Sequence, residues 1–187
     1  MMNLDDVLHK WIPYRLQAME TMMWAYYKQD DIEPPKEIVV TVDGEKILQG
    51  YASAIFNPML EVGFIHARSL LEFMGLAASE GRLVAVKGRR KDDIAIEQFS
   101  VNGVALEKVS PSMALDTYTG PRDLGERALV AMFELANKGL AHLTSGIPDG
   151  YTSEDLEIAC KGIKALVGNN LYIKLGMQIP EPQKRDG

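Results

Sequence analysis

The chain has 187 residues, with 20 Lys and Arg against 26 Asp and Glu, a net charge of −6. An apolar share of 47% and a charged share of 25% match ordinary globular domains and exclude disordered, collagen-like and membrane-embedded classes. The acidic balance argues against a broad nucleic-acid-binding face, and the single cysteine, Cys160, excludes an intramolecular disulfide or a cysteine-cluster metal site. The length fits one domain with a sizeable core. An acidic amino terminus without an apolar run predicts a cytoplasmic protein, with no membrane segment.

Asn3 is the expected cap of a first helix, with Asp6 three residues on as its capping-box partner. Apolar residues then recur at helical spacing from Leu4 to Gln29, through Leu8, Trp11, Leu16, Met19, Met23 and Tyr27. Pro13 lacks the N–H a helix interior needs, so it kinks or restarts this helix, and Pro34-Pro35 ends the segment. Ile38 to Val42 reads as extended and Asp43-Gly44 as a turn. After the turn, Ile47, Leu48, Tyr51 and Ile55 fit a helix over about 45–56. Asn57-Pro58 predicts the next helix start, Asn as cap and Pro at the first helical position, with the helix running to about Ala78.

Gly81 and Gly88 flank a basic stretch that holds Arg82, Lys87, Arg89, Arg90 and Lys91. Further on, Asn102-Gly103 between two apolar triplets is the strongest short hairpin signal, with a short helix over 92–99 as the rival reading. Gly120-Pro121 starts a helix that ends near Gly146. Thr152 or Ser153 caps the last one, whose apolar stripe is Leu156, Cys160, Ile163, Val167 and Leu171. The elements add up to a mainly α fold: a single-domain bundle of about five helices over 1–177, with room for one small β-hairpin near 94–109, and a frayed tail over 178–187.

On the helix from Pro58, His66 shares a face with Met59, Val62, Leu70 and Phe73, so it is expected to point inward. Arg68 falls nearly opposite, with Glu72 four residues on as an ion-pair partner. On the helix from Pro121, His142 lies with Leu124, Ala128, Ala131 and Leu135, and Lys138 sits one turn back, spaced to pair with Glu134. That helix is apolar nearly all round and should be central. Gly63 and Gly139 each cost up to about 1 kcal/mol relative to Ala in mid-helix, which close approach of these two helices would explain.

Two inward imidazoles on packed helices make a polar pocket. Asp92 and Asp93, on the connection that leaves the His66 helix, can add a carboxylate. Such a pocket holds a divalent metal through His66 and His142, or places one imidazole as a general base. Equally, two hydrogen-bonded core histidines only fix helix register. The helical His-Glu-x-x-His motif and the Gly-rich phosphate loops are absent. Cys160 reads as an inert core residue.

Two strings resemble a pattern in an uncharacterised bacterial all-helical family. One is His66-Ala67-Arg68-Ser69-Leu70-Leu71-Glu72-Phe73 with Lys91-Asp92-Asp93 and Phe99; the other runs from Asn137 and Lys138 through His142 to Thr144. The resemblance implies a helical fold and carries no settled activity. A wider resemblance is to HEPN-like helical domains, whose ribonuclease members carry Arg-x(4–6)-His on a late helix. Here His142 sits on a late helix, while positions 135 to 137 read Leu, Ala and Asn, so that arginine is absent.

The expected function is therefore a non-enzymatic binding protein, with a small polar cavity around His66 and His142 reached by Arg68, Asp92, Asp93, Asn137 and Lys138. The alternative is a metal-dependent hydrolase or HEPN-like nuclease that uses His142. A homodimer, built on an exposed remnant of the first helix, is the expected partner arrangement, with nucleic acid and membrane disfavoured.

Overall fold

The computed structural model describes residues 3–30, 37–137 and 150–181. The chain opens on a single turn, α1 (Leu4–Asp6), then a π-helical turn over Val7–Trp11, then α2 (Ile12–Asp30). The Asn3 side chain accepts the Asp5 N–H at 3.2 Å, as a cap does. Asp6 takes no part in that cap and pairs instead with Lys10 at 2.6 Å. Pro13 lies just past the π-helical turn inside one unbroken helical run, so it neither ends nor restarts the helix.

The segment after Asp43-Gly44 departs from expectation. Instead of a helix, β2 (Glu45–Tyr51) folds back on β1 (Glu37–Val42) as an antiparallel hairpin, with a bulge between Val40 and Thr41. Asp43 and Gly44 both take positive φ, 51° and 81°, the geometry that reverses a chain in two residues and matches strand twist. That turn, not the side-chain spacing, decides the structure of 45–51.

α3 (Ser53–Met74) begins ahead of Asn57 and passes through Pro58. A proline in the second turn of a helix gives up one backbone bond while most of the helix lies beyond it, so it does not mark the start. Gly75, at φ 103°, ends α3 and turns its N–H back to the carbonyls of Leu71 and Glu72. A second hairpin follows where helix was expected, β3 (Leu76–Ser79) with β4 (Arg82–Ala85) around Glu80 and Gly81 at φ 52° and 72°.

Beyond the basic stretch, Ile96–Gln98 make one 3₁₀ turn, all that exists of the rival helix over 92–99. The Asn102-Gly103 turn joins β5 (Ser100–Val101) to β6 (Val104–Ala105), as its sequence predicts. A short helix that sequence reading missed, α4 (Pro111–Asp116), is capped by the Ser110 hydroxyl on the Met113 N–H at 3.2 Å. α5 (Arg122–Glu134) and α6 (Ser153–Val167) follow, the latter closed by a reciprocal Thr152–Asp155 box and continued by a π-helical turn over Gly168–Tyr172.

The expectation of an all-helical bundle with one hairpin is thus corrected. Three separate two-stranded sheets stand among the helices of the described residues, which makes the fold mixed α/β, still mainly helical. No helix of the described residues is long and apolar enough to cross a membrane.

α3 is the centre of the core. Its Ala67, Leu70, Leu71 and Met74 meet Met19 and Met22 of α2, Ala128 and Met132 of α5, and Ile163 and Leu166 of α6, all buried. The expected all-round burial of α5 holds along 128–133, every residue of which is buried. The close approach that Gly63 permits is to α2: a Cβ at Gly63 would stand 2.2 Å from the Met22 Cβ. Gly139, its expected counterpart, lies outside the described residues.

Candidate functional site

Antiparallel packing sets the amino end of α2 beside the carboxyl end of α3. The Arg15 Nε–H donates to the Ser69 hydroxyl at 3.1 Å across this seam, and the Gln29 amide donates to the Asn57 side chain at 3.2 Å at the other end. The β3–β4 hairpin then turns back beside α3, with Leu76 and Leu83 buried under it. The segment from Val86 to Ile94 leaves β4 and returns along the carboxyl end of α3. Between these walls lies a groove of about 1060 Å³.

Its lining mixes the two kinds of surface a ligand site needs. Val7, Ile12, Phe73, Val84 and Ile94 supply apolar wall. Arg15, Arg68, Lys87, Arg89 and Arg90 supply cations, against Glu72, Asp92 and Asp93. A groove with a cationic excess on a chain of net charge −6 is a local concentration of positive potential.

The cations differ in how they are satisfied. Arg89 donates to Glu97 at 2.7 Å and to the Glu72 carbonyl at 2.9 Å, so it caps the α3 carboxyl terminus while paired with a carboxylate. Burial alone would push the Glu97 carboxyl up; hydrogen bonding from Arg89 and from the backbone, with the charges of Arg89 and Lys108, outweighs it and holds Glu97 below the usual range. Arg68 pairs with Glu72 at 2.8 Å, four residues on, and donates to the Asn137 side chain. The expected Arg68–Glu72 pair is present, and Asn137 reaches it from beyond α5.

Arg15 stands apart. It is half-buried; its Nε–H goes to Ser69 and one terminal N–H to the Trp11 carbonyl at 3.2 Å. No carboxylate of the described residues lies within ion-pair distance of it. Burial lowers its pKa from the ordinary 12.5, slightly opposed by Tyr14, yet a guanidinium stays charged at neutral pH. The result is a half-buried guanidinium on the groove wall, whose recorded bonds are those to Ser69 and Trp11.

The sequence-derived site residues fall into three groups. Arg68, Asp92 and Asp93 line the groove, and Asn137 bonds to Arg68. Asp93 also accepts the Arg90 backbone N–H at 2.8 Å, which shapes the loop. His66 is not in the groove. It is half-buried at the edge of α3, its ring edge-on to Tyr14 at 5.2 Å, because the inward face of α3 centres on Gly63, Ala67 and Leu70, about a quarter-turn away. Lys138 and His142 lie outside the described residues. Among the described residues, no group of three His, Cys, Asp or Glu side chains stands ready to hold a metal ion.

Arg15 and Arg89 were not read as site residues. Arg89 sat in a charge run that suggested a solvated loop, and Arg15 in an apolar helix that suggested core. The one available signal for Arg15 was a lone charge within the apolar stripe around Ile12, Leu16 and Met19. Cys160 is partly buried on α6, and burial, with some help from Glu20, pushes its thiol up to about 12, consistent with an unreactive residue.

No family model, no curated protein and no solved structure matches this chain.

Proposed function

We propose that this chain is a non-enzymatic binding protein that takes a small organic anion, a phosphate or carboxylate attached to an apolar body, in the groove between α2, α3 and the β3–β4 hairpin. The observation that carries the reading is Arg15: a half-buried guanidinium with no carboxylate partner among the described residues. An anionic ligand would give this cation the partner it lacks and accept charge-assisted hydrogen bonds from its planar fork. The apolar walls suit the rest of the ligand, and the volume suits a drug-sized molecule.

Binding rather than catalysis is the reading because the lining is rich in guanidinium groups, which hold anions well but are poor carriers of protons at neutral pH; of its carboxylates, Glu72 pairs with Arg68 and Asp93 accepts the Arg90 backbone N–H.

Thermal-shift measurements with phenyl phosphate and benzoate test this. A rise in melting temperature that saturates for either probe in the wild-type chain, and is lost in Arg15→Gln, is the expected result. Equal shifts in both chains, or none in either, would remove the groove as an anion site.

A further inference from the structure

The β1–β2 hairpin presents a separate problem. Isolated two-stranded hairpins are marginal in water unless a third strand or a packed face supports them. Among the described residues its support lies at the base, where Ile38 packs beside Trp24, Ala52 and Phe56. Beyond the base the hairpin displays apolar side chains to solvent: Val39, Val42 and Leu48 are exposed, Ile47 is 61% exposed and Tyr51 62%. Both strands also have open edges, since no third strand of the described residues joins them.

A matching bare surface lies on the same chain. Val62 and Ile65 on α3 are exposed, as is Tyr14 of α2, which reaches α3 through its edge contact with His66. The hairpin base is fixed at the amino end of α3, and its exposed side chains show that it does not fold over this surface within one chain.

We propose that the hairpin is an arm that docks on a second copy of this chain, where it covers Tyr14, Val62 and Ile65. Two features favour a second copy over a different protein. A two-fold exchange covers both bare surfaces of each chain at once, because arm meets face and face meets arm across an isologous interface. An unrelated partner on the arm would leave the face uncovered. The area also fits: the hairpin face opposite Ile38, with Val39, Ile47 and Tyr51, and the face of Tyr14, Val62 and Ile65 together expose on the order of 600 Å² per chain, so two chains exceed the roughly 1,000 Å² in total that a specific interface has to clear.

The full chain is weighed by light scattering during size-exclusion chromatography at tens of micromolar. The wild type is expected at twice the chain mass, and Ile47→Asp on the arm or Ile65→Asp on the face at the single-chain mass, each with the circular dichroism of the wild type. Both positions are exposed, so neither change disturbs the core, and the two variants check one another. Mixing Ile47→Cys chains with Ile65→Cys chains under mild oxidation is expected to give a disulfide-linked dimer of one chain of each kind. A wild type at single-chain mass, dimers that survive both Asp variants, or cross-links confined to 47 with 47 would each overturn the proposal. So would a single-chain wild type that co-sediments with phosphatidylcholine vesicles, which would assign the arm to a lipid surface. Anion binding in the groove plays no part in these readouts.

Discussion

Two corners of one groove hold half-buried arginines in opposite states. At the Arg89 corner the guanidinium has a carboxylate, Glu97, and the last carbonyls of α3. At the Arg15 corner the same group has a hydroxyl and one carbonyl, and no carboxylate among the described residues. A folded chain satisfies the first corner by itself. The proposed anion would complete the second. On that proposal Arg89 serves stability and Arg15 binding, although both face the same space.

The comparison breaks most completely where both corners share a support. Gly63 lets α2 close on α3 and so sets Arg15 opposite Ser69. Gly63→Val forces Met22 aside and is expected to cost about 3 kcal/mol, read by urea unfolding, with loss of any anion-induced shift. Arg89→Ala separates the corners. It leaves Glu97 with only Lys108, at 3.5 Å, and removes a side-chain donor from the last carbonyls of α3, for an expected loss of about 1 kcal/mol. Glu97 titrates below its ordinary 4.5 in the folded chain, so its stabilisation is complete above that pH and is lost as the pH falls through the lower folded value. Acid unfolding curves of the wild type should show that loss and those of Arg89→Ala should show less of it.

Arg15→Gln sharpens the contrast. Arg15 is half-buried and makes one bond across the seam, to Ser69, so stability is expected to stay within about 0.5 kcal/mol of the wild type while anion binding disappears. The smallest expected effect is at His66. Burial first, and the Arg15 charge second, hold its imidazole below 6.5. As the pH falls below 6.5 the unfolded chain takes up the proton first, so stability declines through the folded value and is complete above 6.5. In Arg15→Gln the His66 ring signals, followed by NMR, should titrate nearer 6.5.

Much of the helical framework was legible in the residues, and the hairpins were legible only in part. Thr152 and Asp155, Asn3, and the Leu156–Ile163–Val167 stripe placed helices correctly because caps and periodicity are local signals. Asn102-Gly103 announced its hairpin for the same reason. Asp43-Gly44 did so as well, but the residues after it also fit a helix, and only pairing with β1 decides between two local preferences. Glu80-Gly81 carried no comparable alternation around it. For the site, Arg68 was legible from its four-residue spacing to Glu72 on α3, and Asp92 and Asp93 from the connection that leaves α3. His66 was misplaced by about a quarter-turn, because Val62, which shares its face, is exposed, while the buried face runs through Gly63, Ala67 and Leu70. Arg15 depends on the α2–α3 seam, and no local pattern reveals what a seam leaves unpaired.

The central claim is that Arg15 is a seat for an anion. Titration calorimetry of phenyl phosphate into the full chain, repeated on Arg15→Gln and on Arg90→Ala, tests it directly. The account predicts one saturable site in the wild type and in Arg90→Ala, and no measurable heat of binding in Arg15→Gln. Binding that survives in Arg15→Gln with unchanged affinity would contradict it.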